Sequence, residues 1–263
     1  MKNYKNLLVE RDGALMKITL NRPEDANSID VPLAKELMEA AIDCDKDDTV
    51  RAVLLTATGR MFCAGGDLAS FRIAESGIRG VLKEVTAYLH AANARFARMN
   101  APLIIAVNGI AAGAGFSLAI SGDIVVAAKS AKFTMAYTGI GATPDGGGSA
   151  LLAKLTGLRR AQELIFTNRV LSADEALEWG LLTRVVADDE LMREAESLAQ
   201  TLANGPTIAY GKIKELLLSS YHTPLEAQLD AESRSIAHCV SRADGAEGLS
   251  AFADKRKPHF NGQ

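Results

Sequence analysis

Asn108-Gly109-Ile110-Ala111-Ala112-Gly113-Ala114-Gly115-Phe116 is a glycine-rich turn between an apolar β-type run, Leu103 to Val107, and a segment with helical spacing. A second turn of the same kind, Arg60-Met61-Phe62-Cys63-Ala64-Gly65-Gly66-Asp67-Leu68, follows the β-rich run Val50 to Thr58. A strand, a glycine turn and a helix start leave backbone N–H groups without intrahelical partners at the positively polarised helix end. Two such ends facing one point would cradle a developing oxyanion. The other reading of the same residues is tight strand–helix packing, for which glycine turns are a common device.

Working outward, β-type and helical segments alternate. Leu15 to Asn21 has strand alternation, and Leu33, Leu37, Ala40 and Ala41 share one helical face. A long amphipathic helix is predicted over 78–99, with Val81, Val85, Leu89, Ala92, Phe96 and Met99 on its stripe. Strands are predicted at Ile124–Ala127 and Lys132–Met135, and helices near 147–156, 158–167, 173–180 and 189–203. This order indicates an α/β fold with parallel pairing. After Asn204-Gly205-Pro206 the pattern is only helical, over 207–220, 224–241 and 244–255, so a module boundary is placed near residue 205. Leu225, Leu229, Ile236 and Val240 line one face of the second of these helices, to pack on the chain's own core or on a neighbouring subunit.

Composition narrows the function classes. A net charge of -3 lacks the basic excess of a nucleic-acid binder, and few aromatics are available as a stacking platform. Three widely spaced cysteines without a CxxC pair point to a reducing compartment, and four scattered histidines give no metal-ligand spacing. No charge appears between Arg98 and Asp123, but glycines, Pro102 and Asn108 punctuate that stretch, so a buried strand–turn–helix fits better than a membrane span. No secretory signal is visible, and a cytoplasmic location without membrane or nucleic-acid partners is expected.

At the two turns the chain resembles the enoyl-CoA hydratase/isomerase (crotonase) superfamily. The likeness extends to Leu20-Asn21-Arg22-Pro23 with Ala26-Asn27, to Pro102 through Gly115, and to Ser121-Gly122-Asp123-Ile124. It continues through Glu178-Trp179-Gly180-Leu181 and the ending Phe252 to Phe260, in family order across nearly the whole chain. The resemblance implies a crotonase-type ββα superhelix (residues 1–205) for acyl-CoA binding and catalysis. It also implies a C-terminal helical trimerisation region (206–263), with homotrimers often paired into hexamers. It implies further that the N–H groups of Gly66 and Ala114 bind a thioester oxygen. Ala26, Ala64, Asp67 and Leu68 match the family's CoA-contacting segments, and Lys257 is a candidate phosphate partner whose other reading is a solvated tail residue. Coenzyme A would come as part of the substrate, with no separate cofactor and no metal.

The reaction depends on the proton carriers. Hydratases of the family use two glutamates, and the matching positions here are Ser117 and Tyr137, neither of which can act as a carboxylate base. Asp145, in Pro144-Asp145-Gly146-Gly147-Gly148, resembles the acid of the isomerase branch, which includes the ring-epoxide and double-bond isomerases of phenylacetate degradation. Its competing role is an N-cap for the helix starting near Gly147. The leading expectation is an acyl-CoA isomerase with Asp145 as the proton shuttle. A 4-halobenzoyl-CoA-type dehalogenase is the first alternative, with Asp145 as nucleophile and His90 and Tyr137 at matching places, although Tyr137 replaces the indole donor of that branch. His90 lies roughly 130° from the apolar stripe at ~100° per residue, which also fits a surface histidine. A slow hydratase and a non-catalytic CoA-binding trimer complete the alternatives. Tyr137 is equally readable as packing, and Ser117 as a small residue that widens the pocket.

Overall fold

The computed structural model describes residues 2–263. The chain opens with β1 (Leu7–Asp12), β2 (Leu15–Leu20) and α1 (Val31–Lys46). Three strand pairs follow, β3 (Ala52–Ala57) with β4 (Met61–Cys63), β5 (Leu103–Val107) with β6 (Ile110–Ala112), and β7 (Ile124–Ala128) with β8 (Lys132–Thr134). Between the first two pairs lie α2 (Leu68–Arg72) and α3 (Gly77–Arg98), and between the last two lies α4 (Ala114–Ala119). The core ends with α5 (Gly148–Thr156), α6 (Leu158–Thr167), β9 (Leu171–Ser172), α7 (Ala173–Glu178), β10 (Arg184–Val186) and α8 (Leu191–Ala203). Helices α9 (Thr207–Ser219), α10 (Leu225–Val240) and α11 (Ala243–Ala253) finish the chain.

Each strand pair splits between two sheets. The larger sheet has the order β1-β2-β3-β5-β7-β10 and the smaller one β4-β6-β8-β9. Pairing is parallel except for the β1–β2 hairpin and the β8–β9 edge. The large sheet is covered on both faces, which explains why β3 reads as an unbroken apolar run. Val53, Leu55, Ile105, Val107, Val125 and Ala127 face the main core with α1, α3 and α4. Their alternate neighbours Leu54, Ile104, Ala106, Val126 and Ala128 face Leu191, Ala195, Ala199 and Ala203 of α8.

Two corrections to the sequence expectations follow. Strand β1 was not predicted, because Glu10, Arg11 and Asp12 interrupt its apolar pattern at a sheet edge, where charges are common. The stretches expected to be wholly turn contain the short strands β4 and β6, so each glycine turn leaves the smaller sheet rather than the larger.

Polar contacts tie α9 and the segment around Phe260 to the core. Lys214 Nζ donates to Phe96 O at 2.8 Å and pairs with Asp123 Oδ2 at 2.6 Å. Burial pushes that ammonium's pKa down, opposed by the Asp123 charge. Arg51 donates to Gly205 O at 2.7 Å and to Phe260 O at 2.9 Å. No helix among the described residues is long and apolar enough to cross a membrane.

Candidate active site

The two glycine turns touch. β4 and β6 are parallel neighbours, with Cys63 opposite Ala111, so both turns leave the same end of the smaller sheet. Gly65 has φ +98° and Gly113 φ +53°, a region that glycine enters without a Cβ clash. A methyl on Gly65 would sit 2.9 Å from Ala112 O and 3.4 Å from Ala114 N. One on Gly115 would sit 2.3 Å from Cys63 O, so the first turn of α4 rests on the end of β4.

Each turn presents a free donor. Ile29 bridges the first turn as a short parallel pair, its N–H donating to Gly65 O and its carbonyl accepting from Asp67 N. That pattern leaves Gly66 N–H out of the pairing. Ala114 is the first residue of α4, where no intrahelical acceptor exists. Among the described residues, neither Gly66 N–H nor Ala114 N–H has a protein acceptor. Cys63 lies beneath the first turn, fully buried, and burial pushes its thiol up to about 12, so it is no thiolate nucleophile.

One guanidinium braces the first turn. Arg22 pairs with Asp30 Oδ2 at 3.0 Å and Asp67 Oδ2 at 3.2 Å, and donates to Ser28 O at 2.6 Å. Asp67 also caps α2 through Oδ1, which accepts from Ser70 N at 3.0 Å. Ala64 N donates to Ala26 O at 3.0 Å. Ala26, Ala64 and Asp67 are thus brought together, with Leu68 exposed beside them. Ala26 and Asn27 both take φ +53°, and the buried Asn27 side chain bonds Arg22 N, Thr58 O and Met61 O. Lys257 is not brought to this group within one chain, because the C-terminal extension is hydrogen-bonded to Glu247 and Asp244 of α11.

Asp145 is joined to α4 by a chain of hydroxyls. Tyr137 Oη donates to Asp145 Oδ1 at 2.5 Å and meets Ser117 Oγ at 3.2 Å. Ser117 is fully buried and lies three residues after Ala114 on α4, ~4.5 Å along the helix axis. Burial, and then the nearby Asp145 charge, raise the Tyr137 pKa, so the phenol stays a neutral donor. Asp145 does not cap α5. The N-cap of that helix is Gly147, in the left-handed region, with no side-chain cap bond. Instead Asp145 O accepts from Gly148 N at 2.9 Å, and among the described residues the carboxylate is hydrogen-bonded through Oδ1 alone.

His90 reaches this turn as well. It is exposed on α3, yet its Nε2 accepts from Gly146 N at 3.0 Å. Asn93, which sequence reasoning missed, donates from Nδ2 to Gly146 O at 2.8 Å. No local pattern marks it, because its partner lies 53 residues further along the chain. The structure therefore gathers Ser117, Tyr137, Asp145 and His90 at one place, beside the helix that begins at Ala114. Among the described residues no cluster of His, Cys, Asp or Glu could hold a metal ion.

The sequence profile of the enoyl-CoA hydratase/isomerase family matches residues 10–263. The chain is 42% identical to the 1,2-epoxyphenylacetyl-CoA isomerase of Escherichia coli, over 98% of both proteins. It is 36% identical to a probable enoyl-CoA hydratase of Rhodobacter capsulatus, over 99% of this chain and 100% of the relative. The crystal structure of an enoyl-CoA hydratase subunit from Geobacillus kaustophilus matches with a TM-score of 0.91 at 34% identity, covering all of both chains.

Proposed function

The chain belongs to the enoyl-CoA hydratase/isomerase family, and from that premise we propose that it is an acyl-CoA isomerase that shifts a double bond, or rearranges a ring, through a thioester enolate. The N–H groups of Gly66 and Ala114 hold the thioester oxygen as it gains charge. Asp145 takes the proton next to the thioester carbonyl and returns it two carbons further along. One carboxylate is enough for that shift, because the same oxygen accepts and then donates the proton.

The observation that carries this reading is the Ser117–Tyr137–Asp145 chain. The two positions where hydratases of the family hold glutamates here carry hydroxyls, and those hydroxyls hold the remaining acid. Tyr137 occupies Oδ1, which leaves Oδ2 to carry the proton. The isomerase name of the 42% identical relative supports the same branch.

The test is to incubate the protein with a 3-enoyl-CoA and follow conjugated 2-enoyl-CoA, then repeat with Asp145→Ala. Activity in the parent and its loss in the variant are expected. Full activity in Asp145→Ala overturns the assignment. Parallel assays for 3-hydroxyacyl-CoA from a 2-enoyl-CoA, and for halide from a 4-halobenzoyl-CoA, separate the hydratase and dehalogenase outcomes. Thioester binding without turnover on any of the three would identify a non-catalytic binder.

We further propose that residues 1–205 bind the acyl-CoA, along Ala26, Ala64, Asp67 and Leu68. Residues 206–263 form an oligomerisation region for a homotrimer or a pair of trimers, from which Lys257 reaches a CoA phosphate. Exposed Leu217 (64%), Leu225 (67%), Ile236 (66%) and Phe252 (86%) support burial against another copy. Sedimentation as a monomer at micromolar concentration would refute the oligomer.

A further inference from the structure

Asp145 is followed by three glycines, the residues that lose the most conformational freedom on ordering. An acid at the head of such a segment keeps a fixed direction only if something outside the segment holds the backbone. The structure shows what does. From α3, His90 Nε2 accepts from the N–H of the peptide joining Asp145 to Gly146 at 3.0 Å, while the carbonyl of that peptide closes the turn itself by accepting from Gly148 N at 2.9 Å. The next carbonyl, Gly146 O, accepts from Asn93 Nδ2 at 2.8 Å. His90 and Asn93 are one turn apart on α3, so a single helix face grips both sides of Gly146.

We infer that His90 and Asn93 are positioning residues, a backbone clamp on Gly146 that sets the direction of the Asp145 carboxylate. This rests on the isomerase reading through Asp145.

Two further observations support a positioning role. Among the described residues Asn93 Oδ1 is buried without a hydrogen-bond partner, so the amide bears a desolvation cost at one end to place its donor at the other. Gly146 has φ +62°, and a methyl there would sit 3.1 Å from Ser117 Cβ and 3.6 Å from Asn93 Nδ2. The turn is therefore closed in by α3 on one side and α4 on the other. His90 Nε2, engaged as an acceptor, is also unavailable as a proton carrier toward substrate. Its task is geometric, and a neutral acceptor of similar reach should replace it.

The experiment compares His90→Ala, His90→Gln, Asn93→Ala and the double Ala variant. Misplacement of a reacting group by about 1 Å costs about 10²-fold in rate. His90→Ala and Asn93→Ala should therefore lower kcat by about 10- to 100-fold while KM stays within about twofold. His90→Gln keeps an acceptor oxygen and should recover most of the loss. The double variant should lose less than the product of the single losses, because both groups act on one glycine. Hydrogen–deuterium exchange supplies a readout independent of turnover. The segment containing Gly146 should exchange faster in both Ala variants and return toward the parent in His90→Gln, with melting temperatures reporting overall folding. If His90→Gln is as inactive as His90→Ala, the imidazole itself takes part in proton transfer and the clamp is overturned. Unchanged kcat and unchanged exchange in both Ala variants also overturn it. Retained turnover in Asp145→Asn would instead defeat the isomerase reading, and the exchange data would still decide whether the clamp exists.

Discussion

Replacing Ala114 by proline removes one backbone donor and puts ring carbons in the place to which that donor points. Ala114 is the first residue of α4, the helical position at which proline is best tolerated, since its N–H has no intrahelical acceptor. Among the described residues that N–H has no acceptor anywhere in the protein, so no folded-state hydrogen bond is lost. Proline clashes partly with the Cβ of the residue before it, and here that residue is Gly113, which has none. The cost should therefore fall on the reaction. Removing one donor from a site of this kind costs ~10²–10³ in rate, about 2.7–4 kcal/mol of transition-state stabilisation. The proline ring projects where the N–H pointed, so it blocks whatever that N–H would have bound.

The assay is single-turnover conversion of a 3-enoyl-CoA, with Ala114→Gly as the control that keeps the donor. Ala114→Gly should stay within about tenfold of the parent, since a glycine in a helix costs roughly 1 kcal/mol of stability and deletes no donor. Ala114→Pro should fall by ~10²–10³ with its circular dichroism intact. A folded Ala114→Pro protein within about threefold of the parent would show that this N–H does not bind the reacting thioester, and the paired-donor proposal would fail. Gly66 offers no equally clean test, because a side chain there meets Phe71 Cε2 at 2.8 Å.

Placing an acid on α4 with Ser117→Glu should not create water addition. The longer side chain enters a fully buried site against Gly146 and Gly148, and overpacking costs about 1–3 kcal/mol, so a lowered melting temperature with no 3-hydroxyacyl-CoA is expected; gain of hydratase activity would refute this. Burial and the Asp145 charge raise the Tyr137 pKa, so the phenol stays protonated as pH rises past the ordinary tyrosine value of ~10. Titrated to about one unit above that value, the parent and Tyr137→Phe should show the same tyrosinate absorbance, and an excess of one tyrosinate in the parent would refute it. Lys214→Met takes the donor from Phe96 O and Ala101 O and the ammonium from the partly exposed Asp123 carboxylate, and should lower stability by about 1–3 kcal/mol, measured by denaturant unfolding; unchanged stability would show that the Lys214 contacts do not anchor α9.

The parts of the fold legible in the sequence are those in which burial leaves a periodic trace. Val81, Val85, Leu89, Ala92 and Phe96 mark α3 because one stripe of that helix enters the core. β3 was legible as a buried strand because the main core and α8 take alternate residues of one run. β1 was not, since its charged end lies at a sheet edge, and β4 and β6 are three-residue strands enclosed by glycine turns. At the site, Asp145 was legible as either an acid or a cap. The left-handed Gly147 at the N-cap decides against the cap, and that conformation leaves no signal in a stretch of three glycines. Asn93 was invisible for a different reason. Its work is one side-chain bond to a carbonyl 53 residues away, which no local pattern encodes.

Ser117, Gly146 and Gly148 are best understood as one packing unit rather than as three small residues. A methyl on Gly148 would meet Ser117 Oγ at 2.3 Å, and one on Gly146 would meet Ser117 Cβ at 3.1 Å. The turn carrying Asp145 lies against α4 only because all three positions are minimal in size. A glutamate at 117 would compete with the turn for this space, and overpacking of that kind costs about 1–3 kcal/mol. Tyr137 ties the unit together: its hydroxyl reaches both Ser117 on α4 and Asp145 on the turn.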